Sequence, residues 1–275
     1  MFQFLFYLFL IGVCIASFQD LQRREVDNWL NLFLIISSLG FIFISSIFLR
    51  TSNLIFFASC SMIIMFILAN LFYYGRVFAG GDAKLLFSMF VLFTGLSFYE
   101  TFVNILLFLG FLLISGSIWG VGFSLYLFFK NPRNIKLQFN KEIDNSYAEY
   151  FLGAGAFCIV LSFFNIMFLF FSMLFFIFPL LFAFARAVEK TSMTKSINAR
   201  DLREGDWLVN PIKMKNKTII PNWEGLRNSD LVLLRKLNKK VMIKEGIPFV
   251  PSFLIALLLY VLFRNDLYML LFNIF

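Results

Sequence analysis

Long apolar runs separated by short polar breaks set the pattern of this chain. Residues 2–18 are almost wholly apolar and close at Asp20, a charged break covers 20–29, and apolar runs at about 29–49 and 54–73 flank the turn Arg50-Thr51-Ser52-Asn53. Each run approaches or exceeds the roughly 20 residues that a helix needs to cross a hydrocarbon core of about 30 Å, so three membrane helices are expected. The first begins without a basic segment or a small-residue cleavage site, which predicts a retained helix rather than a removed signal. Tyr73 and Tyr74 have the character of interfacial anchors.

A polar break at 75–81 leads into Asp82, and the apolar run from there to about position 98 predicts a fourth helix. The fifth, about 101–129, carries Gly110, Ser115, Gly116, Ser117, Gly120 and Gly122, small residues of the kind that let membrane helices approach closely. A loop with Lys130, Arg133, Lys136 and Lys141 is expected over 130–150. The tract 151–188 is too long for one ordinary crossing and short for two. Residues 190–246 hold 13 Lys and Arg against 6 Asp and Glu; because basic segments favour the cytoplasm, a hairpin that returns the chain to that side is expected.

Within 190–246, Gly205-Asp206 and Pro221-Asn222 read as turns. Trp207-Leu208-Val209 and Lys217-Thr218-Ile219-Ile220 read as short strands, and 229–240 as a basic amphipathic helix with Leu231, Leu234 and Leu237 on one side. A last crossing is expected after Ile247-Pro248-Phe249-Val250-Pro251, running to about Phe263. Residues 267–275 are too few to cross alone, so they continue the helix or lie in the interface.

The fold expected is an all-α polytopic membrane protein of about six to eight transmembrane helices, with a small cytoplasmic α+β insertion before the last helix. The expected divisions are a transmembrane domain at 1–188, a basic soluble segment at 189–246 and a C-terminal transmembrane or interfacial helix at 247–275. Composition agrees: the 275 residues are 60% hydrophobic and 20% aromatic, far from the balance of a soluble domain. Membrane lipid, not nucleic acid, is the partner expected for the basic surplus. The sequence carries no signal of oligomeric state.

The absence of histidine removes Ser-His-Asp and Cys-His catalysis and the common imidazole metal sites. Cys14, Cys60 and Cys158 each lie inside an apolar run without metal-ligand spacing, so no disulfide framework, metal or cofactor is expected. Catalysis would fall to carboxylates, hydroxyls or amines.

Two crossings separate Asp20 from Asp82, and an even number returns the chain to the face it left. Arg23 and Arg24 mark that face as cytoplasmic. Two carboxyl groups brought close together share a proton, so that one can activate water while the other protonates a carbonyl oxygen or leaving amine, the chemistry of aspartyl proteolysis. Gly80 and Gly81 give access to positive φ and leave room for an extended peptide. Other readings stay open. Asp82 also fits a helix N-cap behind an ordinary Gly-Gly loop, Asp20 a helix-end charge, and Asp27 with Asn28 a cap for helix two. Asp27 is the rival for the first carboxylate; Asp20 stands ahead of it because packing at a helix end can fix its position.

Asp20 followed by Arg23-Arg24-Glu25-Val26-Asp27-Asn28-Trp29, with Gly80-Gly81-Asp82-Ala83-Lys84 some sixty residues later, resembles the archaeal type IV prepilin and preflagellin peptidases, membrane aspartyl proteases of the GxGD class. Ile243-Lys244-Glu245-Gly246-Ile247-Pro248-Phe249-Val250-Pro251-Ser252-Phe253 resembles a C-terminal stretch of the archaeal members. The resemblance implies that Asp20 and Asp82 are the catalytic pair, with Gly80, Gly81 and Lys84 shaping the site. It also implies a cytoplasmic-face site that removes short, often basic leaders from pilin-like or archaellin precursors. Glu25 and Asp27 would attract such a leader, or else neutralise Arg23 and Arg24 locally. Two positions depart from the family pattern: Ala79 stands at the first glycine of GxGD, and Asp27 where a proline commonly precedes the asparagine. Nothing matches the cysteine-rich zinc motif of bacterial relatives, so N-methylation of the product is not expected.

Two other classes compete. A membrane carrier would use the carboxylates as a proton relay, which usually lies near mid-bilayer. A noncatalytic scaffold for pilus or secretion assembly would use the basic segment as its docking surface.

Overall fold

The computed structural model describes residues 2–144, 148–214, 218–222, 225–236 and 239–274. The chain forms two compact units, Met1–Val121 with Pro248–Phe275, and Gly122–Ile247. In chain order the helices are α1 (Phe2–Arg23), α2 (Asn28–Leu49), α3 (Asn53–Tyr74), α4 (Gly80–Ser88) with a 3-10 segment at Met89–Phe93, α5 (Phe98–Lys130), α6 (Pro132–Asp144), α7 (Ala148–Leu161), α8 (Met167–Ser192), α9 (Asn228–Leu234) and α10 (Val250–Ile274). Among the described residues, α1, α2, α3, α5, α8 and α10 are long and apolar enough to cross a membrane. This is an all-α polytopic membrane protein with a small strand insertion.

Helix ends follow local chemistry. α1 runs on through Asp20 to Arg23, beyond the apolar run that predicts it, and stops where Arg24 takes a left-handed φ of 60°. α2 stops at Arg50, also left-handed, whose N–H turns back onto Ile47 O. A left-handed residue is a common way to satisfy the last carbonyls of a helix.

In the first unit, Phe9 and Val13 of α1, Leu34 of α2, Met65 of α3, Phe108 of α5 and Phe253 and Leu257 of α10 form the core around α4. Phe43, Phe48, Phe56 and Phe66 point outward and are exposed. Such faces would be unfavourable in water but not in lipid, whose tails are as apolar as the side chains.

The fourth element departs from expectation. Instead of a helix over 82–98 there are nine residues of α-helix and five of 3-10 helix. Leu85, Leu86, Met89, Phe90, Val91 and Phe93 are all at most 1% exposed, so this run is apolar because protein encloses it. It lies antiparallel along α3: Gly80 sits beside the Tyr73 ring, and Ser61 Oγ donates to Phe90 O at 2.6 Å.

α5 meets α10 through two of the small residues. Ser115 Oγ donates to Ser252 O at 2.9 Å, and the Phe249 ring lies so close to Gly116 that a Cβ there would sit 2.8 Å from it. A Cβ at Gly110, Gly120 or Gly122 would meet nothing within 4 Å, so close packing does not account for those three. α10 runs past Phe263 through Arg264-Asn265-Asp266 to Ile274, the continuation that is one of the two expectations for the last residues. Arg264 reaches Glu100 at 3.4 Å, and Glu100 also accepts the Leu96 N–H at 2.8 Å where α5 begins.

In the second unit the loop expected over 130–150 is largely helical. α6 buries Ile135 against Ala187 and Val188 of α8, and buried Glu142 is paired with Lys190 at 2.7 Å. The tract 151–188 breaks at 162–166 into α7 and α8, which pack together, Phe151 stacking on Phe178 at 5.4 Å.

The strands are β1 (Thr194–Asn198), β2 (Trp207–Leu208), β3 (Ile212–Lys213), β4 (Thr218–Ile219) and β5 (Lys240–Lys244). β5 lies between β1 and β2, antiparallel to both, with Ser196 opposite Met242 and Leu208 opposite Ile243. The helix expected over 229–240 ends at Leu234, because Lys240 opens a strand whose Val241 and Ile243 fill the same small core as Leu231 and Leu234. Lys217 and Leu237 lie outside the described residues.

Candidate active site

Asp20 occupies the last turn of α1 and is 6% exposed. Its Oδ2 accepts the backbone N–H of Val250, the first residue of α10, at 2.9 Å. Arg24, just past the helix end, brings positive charge to the same carboxylate.

Asp82 is the third residue of α4, not the residue before it. Ala79 takes the N-cap position, its side chain offers no acceptor, and Asp82 Oδ2 reaches back to accept the Ala79 N–H at 3.2 Å. The capping reading of Asp82 is therefore corrected in position: the carboxylate satisfies an orphan donor from inside the first turn. Asp82 is 9% exposed. Burial pushes its carboxyl up to about 7, the charge of nearby Asp20 adds to the rise, and the Ala79 hydrogen bond offsets part of it. The two carboxyl groups thus act on one another, although α2 and α3 intervene in the chain.

Gly80 and Gly81 are the first two residues of α4, and neither has the positive φ that the sequence reading allows them. A Cβ on Gly81 would lie 3.7 Å from Val26 N and 3.8 Å from Val26 Cβ, and one on Gly80 would lie 3.7 Å from the Tyr73 ring. These are ordinary contacts, so the chain's own packing does not require glycine at either place. The connection between α1 and α2 lies directly beside the start of α4.

Lys84 Nζ donates to Asn28 Oδ1 at 2.8 Å, tying α4 to the first residue of α2. Asp27 stands at the N-cap of α2, but its carboxylate does not cap that helix. It accepts from Gln19 Nε2 at 3.0 Å and from Trp29 Nε1 at 3.2 Å, lies 3.9 Å from Arg23, and its own N–H donates to Gln19 Oε1. Glu25 belongs to the same connection, where it is exposed.

Sequence reasoning assigns no role to the Val250 N–H, to Gln19, or to Asn31 of α2, which is 3% exposed with neither amide atom bonded to protein. A signal for the first exists in the Ile243–Phe253 stretch, whose proline-bracketed Phe249-Val250 marks a fixed backbone. Among the described residues no group of three or more Cys, Asp or Glu converges as metal ligands.

Residues 7–125 match the type IV leader peptidase family, which consists of aspartic-type prepilin peptidases acting on pilin-like precursors. The matched stretch runs from α1 into α5 and holds both buried aspartates. No curated protein and no solved structure matches the chain.

Proposed function

We propose that this membrane peptidase, whose residues 7–125 match an aspartic-type leader peptidase family, removes the short leader from pilin-like or archaellin precursors with Asp20 and Asp82 as its catalytic pair. The observation that carries the reading is the burial of two aspartates, Asp20 in the last turn of α1 and Asp82 in the first turn of α4, at 6% and 9% exposure. A neutral Asp82 beside the Asp20 carboxylate supplies the two functions that peptide hydrolysis needs. Asp20 takes a proton from water as its oxygen attacks the scissile carbonyl, and Asp82 gives its proton to the carbonyl oxygen. As the tetrahedral intermediate collapses, protons return so that the amine leaves neutral and a carboxyl product remains.

Arg23 and Arg24 support a cytoplasmic orientation for this end of the bundle, as the positive-inside bias prefers. The leader enters there, its hydrophobic helix lies against the α1 and α4 region, and Glu25 offers a negative charge to basic leader residues. The position of both aspartates at helix ends favours this reading over a proton relay, whose carboxylates lie near mid-bilayer.

The test is cleavage of a pilin-like precursor by detergent-solubilised wild type, Asp20→Asn and Asp82→Asn side by side. Wild type is expected to cut once at the leader boundary and both variants to be inert while folding normally. Retained cleavage in either variant removes that residue from the pair.

A further inference from the structure

We propose that the backbone N–H of Val250 is a positioning group for Asp20, and that α5 holds it there through Ser115, Gly116 and Trp119; the inference rests on Asp20 being one of the catalytic pair. A helix leaves its first N–H groups without intrahelical partners, and a local side chain normally satisfies one of them. Positions 246–249 are Gly, Ile, Pro and Phe, so no local side-chain oxygen is available. Pro251 has no N–H, and the Ser252 N–H turns onto Phe249 O at 2.9 Å. The Val250 N–H is directed instead onto Asp20 Oδ2 at 2.9 Å, across 230 positions of chain. The carboxylate and the positive end of α10 stabilise each other.

The donor itself is clamped. Trp119 Nε1 donates to Pro248 O at 2.7 Å, Ser115 Oγ to Ser252 O at 2.9 Å, and Gly116 leaves space for the Phe249 ring between them. The same segment reaches toward the second aspartate. The Phe249 and Phe253 rings pack on Phe78 at 5.3 and 5.8 Å, and Phe78 directly precedes Ala79, the residue whose N–H holds Asp82. The start of α10 therefore fixes one carboxylate by a hydrogen bond and braces the backbone that fixes the other.

Val250→Pro removes the donor at a first helical position, where proline is well tolerated, and Val250→Ala controls for loss of the buried Val250 side chain. Its kcat for leader cleavage is expected to fall roughly tenfold to a hundredfold, the scale of one lost hydrogen bond to a charged group, with KM changed less than about threefold. Val250→Ala keeps the N–H and is expected to turn over at least about tenfold faster than Val250→Pro. Equal kcat in the two variants, or a change in Val250→Pro confined to KM, overturns the inference.

A second measurement is independent of both folding of the proline variant and turnover. In protein labelled with 15N-valine, the Val250 amide is expected to exchange with solvent at least about tenfold faster in Asp20→Ala than in wild type. Unchanged exchange defeats the positioning role even if the protein cleaves; wild type that cuts no precursor defeats the peptidase reading instead.

Discussion

The charge on Asp20 is second only to burial among the forces that hold a proton on Asp82, and together they raise the Asp82 carboxyl to about 7. If Asp82 is the acid of the pair, cleavage depends on that proton. The expected outcome is a kcat/KM that falls by about tenfold per pH unit above the Asp82 value, on the alkaline side of neutrality. A pH series of leader cleavage checks it, and a rate that stays level or climbs to about pH 9 would contradict the role.

The same shift has a consequence for stability. An unfolded chain ionises Asp82 from its ordinary value of 3.8, whereas the folded protein keeps the proton until about 7. Between those values the folded state binds more protons, so its stability is greatest at the acid end and declines as pH rises, levelling off above about 7. Asp82→Asn has no proton to lose and its amide oxygen can still accept from Ala79. It is expected to gain on wild type, by up to a few kcal/mol, as thermal melts in detergent are taken from about pH 5 to about pH 8. A difference that is flat or of opposite sign would show that burial does not oppose the ionised form.

Gly81→Ala separates packing from substrate access. The added methyl meets Val26 at 3.7 and 3.8 Å, and α4 is helical there, so the fold should be unaffected or slightly favoured. A substrate backbone that must lie on this turn would meet the methyl. The expected result is an unchanged or higher melting temperature with a cleavage rate reduced about tenfold or more, the scale of a small displacement of a reacting group. Full activity would mean that the peptide does not approach Asp82 over Gly81.

The long helices are legible because a run of about twenty apolar residues fits little besides a membrane crossing. The run after Asp82 misleads for a related reason: apolar residues face lipid or protein interior equally well, and only the packing of Leu85, Met89 and Phe93 distinguishes the two. Counting crossings places Asp20 and Asp82 on one face without any knowledge of their contacts. α6 escapes a sequence reading because its charged surface outweighs the single buried stripe at Ile135. The Val250 N–H is illegible, since a backbone donor has no residue type and its acceptor lies 230 positions away.

Asp27 is the rival to Asp20, and its surroundings decide what its loss should do. Its carboxylate is engaged by Gln19, Trp29 and, at 3.9 Å, Arg23, in a half-exposed site at the N-cap of α2. The ion pair contributes little at that exposure, and the two hydrogen bonds together are worth about 1 kcal/mol. Asp27→Ala is therefore expected to lower the melting temperature by a few degrees. Because the carboxylate fastens the α1–α2 connection, a structural role is expected for it, and leader cleavage should survive within about an order of magnitude, the effect of a slightly displaced connection. Asp20→Ala, measured beside it, should be inactive. The reverse pattern, an inert Asp27→Ala and an active Asp20→Ala, would transfer the first catalytic carboxylate to Asp27 and leave Asp20 as the cap of α10.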